Sequence, residues 1–93
     1  MSKEATVIYI GRKPPMNYML FVITSLNSPD SKEVLLKARG RAITTAVDVA
    51  EITRRRFMKE LEISKITTGT EELPVDEGGT RMVSSIEITL TRP

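Results

Sequence analysis

Leu36-Lys37-Ala38-Arg39-Gly40-Arg41-Ala42-Ile43 is where an apolar strand hands over, across one glycine, to a helical pattern. Alternate residues of a strand share a face, so Lys37 and Arg39 point the same way and Arg41 follows at the bend. Working back to Glu33, the strand has Val34, Leu36 and Ala38 on one face and Leu35, Lys37 and Arg39 on the other. Three long cations gathered at one junction repel one another unless an anion is to sit there, and a polyanion is the natural candidate.

The rest of the chain bounds what surrounds this junction. Its 93 residues are read as one domain over 1–93, with no linker, repeat or low-complexity tract. A chain of this length buries a modest core. Its aromatics are two Tyr and two Phe, so Leu, Ile, Val and Met must do the packing. It has no cysteine, hence no disulfide and no thiolate metal site, and no histidine, the commonest general base and metal ligand. Met1-Ser2-Lys3-Glu4 lacks a signal-peptide core, and no segment is apolar enough to span a bilayer, so a soluble, cytoplasmic protein is expected. Net charge is only +2, but residues 1–65 hold 12 Lys/Arg against 7 Asp/Glu, and residues 66–93 hold 2 against 5. The positive charge therefore concentrates in the part that contains the junction.

Upstream, Thr6-Val7-Ile8-Tyr9-Ile10 is a short apolar run, read as a buried strand ended by Gly11. Arg12-Lys13-Pro14-Pro15 makes a basic loop, with Pro15 suited to the first helical position, where its missing N–H costs nothing. Met16 to Leu26 reads as a helix apolar nearly all round, which needs cover on more than one side; in so small a domain a partner subunit is the expected cover. Asn27 to Ser31 is a turn. Downstream, Ala42 to Met58 reads as a second helix with Ile43, Ala46, Val47, Ala50 and Phe57 at helical spacing. Glu51 stands four residues before Arg55, a favourable pairing. Leu61 to Thr70 and Met82 to Thr91 read as third and fourth strands, joined through Glu71 to Arg81 as a projecting hairpin. The order β-α-β-α-β-β gives an α+β two-layer sandwich, a four-stranded sheet with two helices.

Either basic cluster alone is an ordinary solvated edge. In β-α-β-α order, however, the first two strands run parallel, which brings Arg12-Lys13 and Lys37/Arg39/Arg41 to the same end of the sheet. Acidic residues are also absent from Gly11 to Asn27 and from Val34 to Val47. Convergence favours a phosphate-binding platform. Arg54-Arg55-Arg56 cannot all face one ligand, because three consecutive helical residues fan over about 200°; Arg55 is the one assigned to phosphate. Phe57 is either core or an exposed anchor, and spacing leaves both open. Asp48 and Glu51 form an i,i+3 carboxylate pair with no His, Cys or further carboxylate beside them, and Gly78-Gly79 matches no phosphate-cradling loop. A binding protein is expected, not an enzyme, with no cofactor, metal or small-molecule substrate and no membrane partner.

Gly11-Arg12-Lys13-Pro14-Pro15-Met16-Asn17-Tyr18 and Lys37-Ala38-Arg39-Gly40-Arg41-Ala42-Ile43 together resemble the Alba family of archaeal chromatin proteins. The likeness continues through Ala46-Val47-Asp48, Arg56-Phe57 and Val83-Ser84-Ser85-Ile86-Glu87-Ile88. It implies a homodimer that binds double-stranded DNA and RNA with little sequence preference, coating and compacting the chromosome in the nucleoid. Carried over by position, Arg12, Lys13, Lys37, Arg39 and Arg41 would contact phosphates, with Asn17 in the same nucleic-acid-binding set. Phe57, with Arg56, would pack dimers side by side, which favours the exposed anchor. Relatives of this fold also serve as non-catalytic subunits of RNA-processing ribonucleoproteins such as ribonuclease P, which is the alternative. Two positions depart from the pattern. Members commonly carry a Lys-Lys pair in the first loop whose first lysine can be acetylated; here that residue is Arg12, so Lys13 would have to take the modification. The hairpin arms that should lie along the minor groove hold Glu71, Glu72, Asp76 and Glu77 against Arg81 alone, a poor probe of phosphate. Arg81 is the contact expected of the arm.

Overall fold

The central strand β2 (Glu33–Arg39) alternates as its sequence requires: Val34, Leu36 and Ala38 are buried and Arg39 is exposed. A computed structural model of the chain describes residues 5–93; Met1–Glu4, read above as lacking a signal-peptide core, lie outside the described residues. Around β2 stand β1 (Thr6–Tyr9), α1 (Pro15–Leu26), α2 (Ala42–Ile52) with a following π-helical turn (Thr53–Phe57), β3 (Glu62–Pro74) and β4 (Thr80–Thr91). The fold is the α+β sandwich expected, with sheet order β1-β2-β4-β3 and both helices on one side. β1 and β2 are parallel, and β2–β4 and β3–β4 antiparallel.

One apolar layer holds the two sides together. Met19, Val22 and Leu26 of α1 and Ala46, Val49 and Ala50 of α2 meet Val34, Leu36, Ile88 and Leu90 of the sheet, all essentially removed from water. Each such Leu, Val or Met contributes about 1.5–3 kcal/mol by leaving water.

Three features differ from the sequence reading. β1 is not buried on both faces: it is an edge strand, and Val7 and Tyr9 stand exposed on the side away from the helices. The second helix does not run regularly to Met58. Its last turn is wound wider, with the Met58 N–H donating to the Thr53 carbonyl at 2.8 Å. The strands of the hairpin are longer than expected, so its connection is only Val75–Gly79 and not Glu71–Arg81. Gly78 and Gly79, at φ 87° and 83°, supply the left-handed backbone that so short a turn needs. Glu71 and Glu72 are therefore strand residues, paired with Val83 and Met82.

Because β2 pairs no further than Arg39↔Ser85, the ladder from Thr70↔Ser84 to Pro74↔Thr80 continues alone beyond the body. That free arm is roughly 15 Å of two-stranded ribbon. It leaves from the end of the sheet at which β1 and β2 finish and α1 and α2 begin.

Candidate nucleic-acid interface

The two basic segments meet because parallel pairing aligns their strand ends. Tyr9 lies opposite Lys37, and the Ile10 N–H donates to the Lys37 carbonyl at 2.8 Å, so the loop after β1 starts beside the turn after β2. Each segment is then fixed locally. In the first loop the N–H groups of Gly11 and Lys13 both donate to the Tyr18 hydroxyl, at 2.9 and 3.1 Å. Tyr18 is buried in α1, so its phenol ties Arg12 and Lys13 to the core while both side chains stay in solvent. In the second turn Gly40 takes φ 58°, a left-handed conformation that a side chain would strain. Its N–H donates to the Ser84 carbonyl at 2.9 Å, and its carbonyl receives the Ile43 N–H at 3.1 Å. Arg41 is consequently held at the head of α2.

Between these turns and the arm lies a groove of about 1380 Å³. Arg12 of the first loop, Arg39 and Arg41 of the β2–α2 junction and Arg81 of the arm line it, and among the described residues no carboxylate does. Arg12, Arg41 and Arg81 make no ion pair among the described residues. Three guanidiniums converging without counter-charge attract a polyanion and offer forked hydrogen bonds to phosphate oxygens.

Arg39 differs. Its guanidinium is 3.1 Å from the Glu71 carboxylate, with both side chains about half exposed. This corrects the reading of the junction as free of counter-charge, and of Glu71 as part of an acidic loop. Glu72 is also engaged, receiving the Thr80 hydroxyl at 2.9 Å across the arm.

The remaining predicted residues spread out. Lys13 and Asn17 are exposed beside the groove, on the loop and the first turn of α1. Lys37 is half-buried on the open face of the sheet, opposite Glu87. Arg55 and Arg56 lie at the far end of α2, about 20 Å from its head at 1.5 Å per residue. There Glu51 accepts from Arg55 at 3.1 Å and from Arg54 at 3.0 Å, and this donation, Arg55's first, holds its carboxyl below the ordinary glutamate value of 4.5. Phe57 is 52% exposed. In a regular helix it would follow Ala46, Ala50 and Thr53 onto the buried line; the wider turn puts Met58 there and turns Phe57 outward. Sequence reasoning missed Tyr18 as the anchor of the loop, Glu71 as the partner of Arg39, and the exposure of Tyr9. Only the last had a signal, the alternation Val7/Tyr9 within a run that was apolar throughout.

Such a fold, with a basic groove beside a projecting arm, defines a class of small α+β domain. The Alba family model matches residues 6–70. "DNA/RNA-binding protein Alba" of Methanocella arvoryzae is 52% identical over 97% of this chain and 93% of its own length. Among solved structures, Alba from Thermoplasma volcanium superposes with a TM-score of 0.87 at 46% identity, covering 94% of this chain and all of the other. ALBA1 from Trypanosoma brucei superposes with a TM-score of 0.72 at 25% identity, over 98% of this chain and 72% of that one. The chain belongs to the Alba family.

Proposed function

We propose that this protein binds double-stranded DNA and RNA without sequence preference, as a homodimer that coats and compacts the chromosome. The observation that carries the reading is the groove lined by Arg12, Arg39, Arg41 and Arg81 without a carboxylate. Lys13, Asn17 and Lys37 would extend the contact around it. The reading agrees with the names of the relatives, which are DNA/RNA-binding proteins. Guanidiniums facing a backbone position the ligand without reading its bases, so sequence tolerance follows from the same geometry. Work of this kind is binding and not catalysis, and places the protein with the nucleoid in the cytoplasm. Among the described residues no helix is long and apolar enough to cross a membrane.

Two apolar surfaces support self-association. Met16, Leu20 and Phe21 stand exposed on α1, whose neighbour in the fold is the π-helical turn carrying Arg56 and Phe57. This surface is assigned to contacts between dimers. Val47 of α2 and Ile66, on the helix side of β3 opposite the buried Ile88, are also exposed and are assigned to the dimer itself.

The test is a salt titration of binding to unrelated duplexes, alongside the solution mass of the free protein. Affinity should fall steeply with salt, log K against log[salt] having a slope of about −0.9 per phosphate neutralised. Arg41→Glu should weaken all duplexes alike, and the free protein should weigh twice the chain. A flat salt dependence, or loss confined to one sequence, would reject the reading. Competition between structured RNA and duplex DNA at matched salt separates chromosome coating from service in an RNA-processing ribonucleoprotein.

A further inference from the structure

Among the described residues no element packs on the side of the sheet away from the helices, and at its β1 edge stands Tyr9, 73% exposed. Packing within the chain accounts for little of so open a ring. Around it the register places Lys37 opposite Tyr9 on β2, Glu87 opposite Lys37 on β4, and Ser85 opposite Arg39. Tyr9, Lys37, Arg39, Glu71, Ser85 and Glu87 line a single concavity of about 440 Å³. It is separate from the arginine groove yet continuous with it, since Ile10 and Arg39 border both.

We propose that this face is a second binding site, for an unpaired nucleobase of a single-stranded segment, stacked on the Tyr9 ring. The inference rests on the reading of the groove as a nucleic-acid site. An exposed aromatic on a sheet, with cations alongside, gives a base a π-surface and its backbone a counter-charge. Lys37 sits one strand away from Tyr9 and Arg39 two residues further along, within reach of the phosphates flanking a stacked base. A duplex cannot use the site, because its bases already stack on one another and offer only their edges. Glu71 and Glu87 offset the two cations of this face, so it does not draw a backbone by charge alone. Stacking must then supply the affinity, and the contribution of Tyr9 should be the part least sensitive to salt. A strand leaving a groove-bound duplex or RNA stem would cross Arg39 and arrive at this ring.

The test uses the full chain with two probes at matched salt: an unstructured single-stranded oligoadenylate and a DNA duplex of equal length. Tyr9→Ala and Tyr9→Leu should each lose about 5- to 150-fold in affinity for the single strand, the range of one base–aromatic stack. Duplex affinity should change by less than about twofold, and Tyr9→Phe should bind both probes as the parent does. The chain has no Trp and two Tyr, and Tyr18 is buried, so tyrosine fluorescence quenched by the single strand, and not in Tyr9→Leu, would report the stack directly. Equal losses on both probes, or no loss and no quenching, would overturn the proposal while leaving the groove reading intact. Failure of the parent protein to bind either probe would instead bring down the functional reading.

Discussion

Glu71 occupies, on Arg39, the position a phosphate oxygen would take. An exposed pair of this kind contributes only about 0–1 kcal/mol to folding, so its weight falls on binding, where the carboxylate must be displaced before Arg39 can meet a backbone. Glu71→Gln should therefore tighten duplex binding and steepen the slope of log K against log[salt] by about one unit, with the thermal midpoint nearly unchanged. A slope equal to the parent's would mean that Arg39 stays out of the contact. Tyr18 acts in the opposite sense, through structure alone. Tyr18→Phe leaves the N–H groups of Gly11 and Lys13 without their acceptor, at about 0.5–1.5 kcal/mol for each bond lost, since both residues are exposed. Calorimetry should record a midpoint several degrees lower, and binding should weaken because Arg12 and Lys13 lose their fixed loop. Glu51 gives a pH dependence. Its folded-state pKa lies below that of the unfolded chain, so its stabilisation is complete above the unfolded value and is lost as pH falls through the folded one. The small destabilisation expected of Glu51→Gln at neutral pH should accordingly vanish in acid, as read from unfolding at the two pH values.

Among the elements, those whose pattern and punctuation agree were readable from sequence. α1 begins at Pro15 and ends at Leu26 as Pro14-Pro15 and Asn27-Ser28-Pro29 dictate, and β2 keeps its alternation to the last residue. Of the residues that line the groove, Arg12, Arg39 and Arg41 could be brought to one end of the sheet because parallel strand ends follow from element order, whereas Arg81 stood out only as the arm's one cation. What escaped was set by partners distant in sequence. The Arg39–Glu71 pair spans 32 residues, and β3 runs on to Pro74 only because β4 is there to pair with it. The π-helical turn escaped for another reason: Thr53-Arg54-Arg55-Arg56-Phe57 is compatible with a regular helix, and the choice is made by Met58 and Leu61 filling the core below. The turn has a consequence for assembly. Phe57 is about half exposed, so Phe57→Ala should cost only part of what a buried Phe would, whereas the steepness of the binding isotherm on long DNA should fall more than the affinity of a single dimer. An isotherm as steep as the parent's would relieve Phe57 of the contact between dimers.

At the scale of the molecule, every strand-to-helix turn and the hairpin arm emerge at one end, while Arg55, Arg56 and Phe57 occupy the other. The chain thus keeps its groove and Phe57 at opposite ends, within extents of 47 × 31 × 18 Å. The hairpin carries one irregularity. Between Ile63 and Lys65 the β3–β4 register shifts, so that Ser64 has no partner of its own, and its hydroxyl lies 2.7 Å from that of Thr91. An extra residue on one strand bends and twists the ribbon that follows. Removing Ser64 would restore an unbroken ladder with Ile63 still opposite Leu90 and Lys65 still opposite Thr89, every later side chain keeping its face. Irregularity and chemistry are thereby kept apart in this hairpin: the extra residue sits within the body, at Ser64, while Arg81 stands opposite Leu73 on the free ladder beyond it.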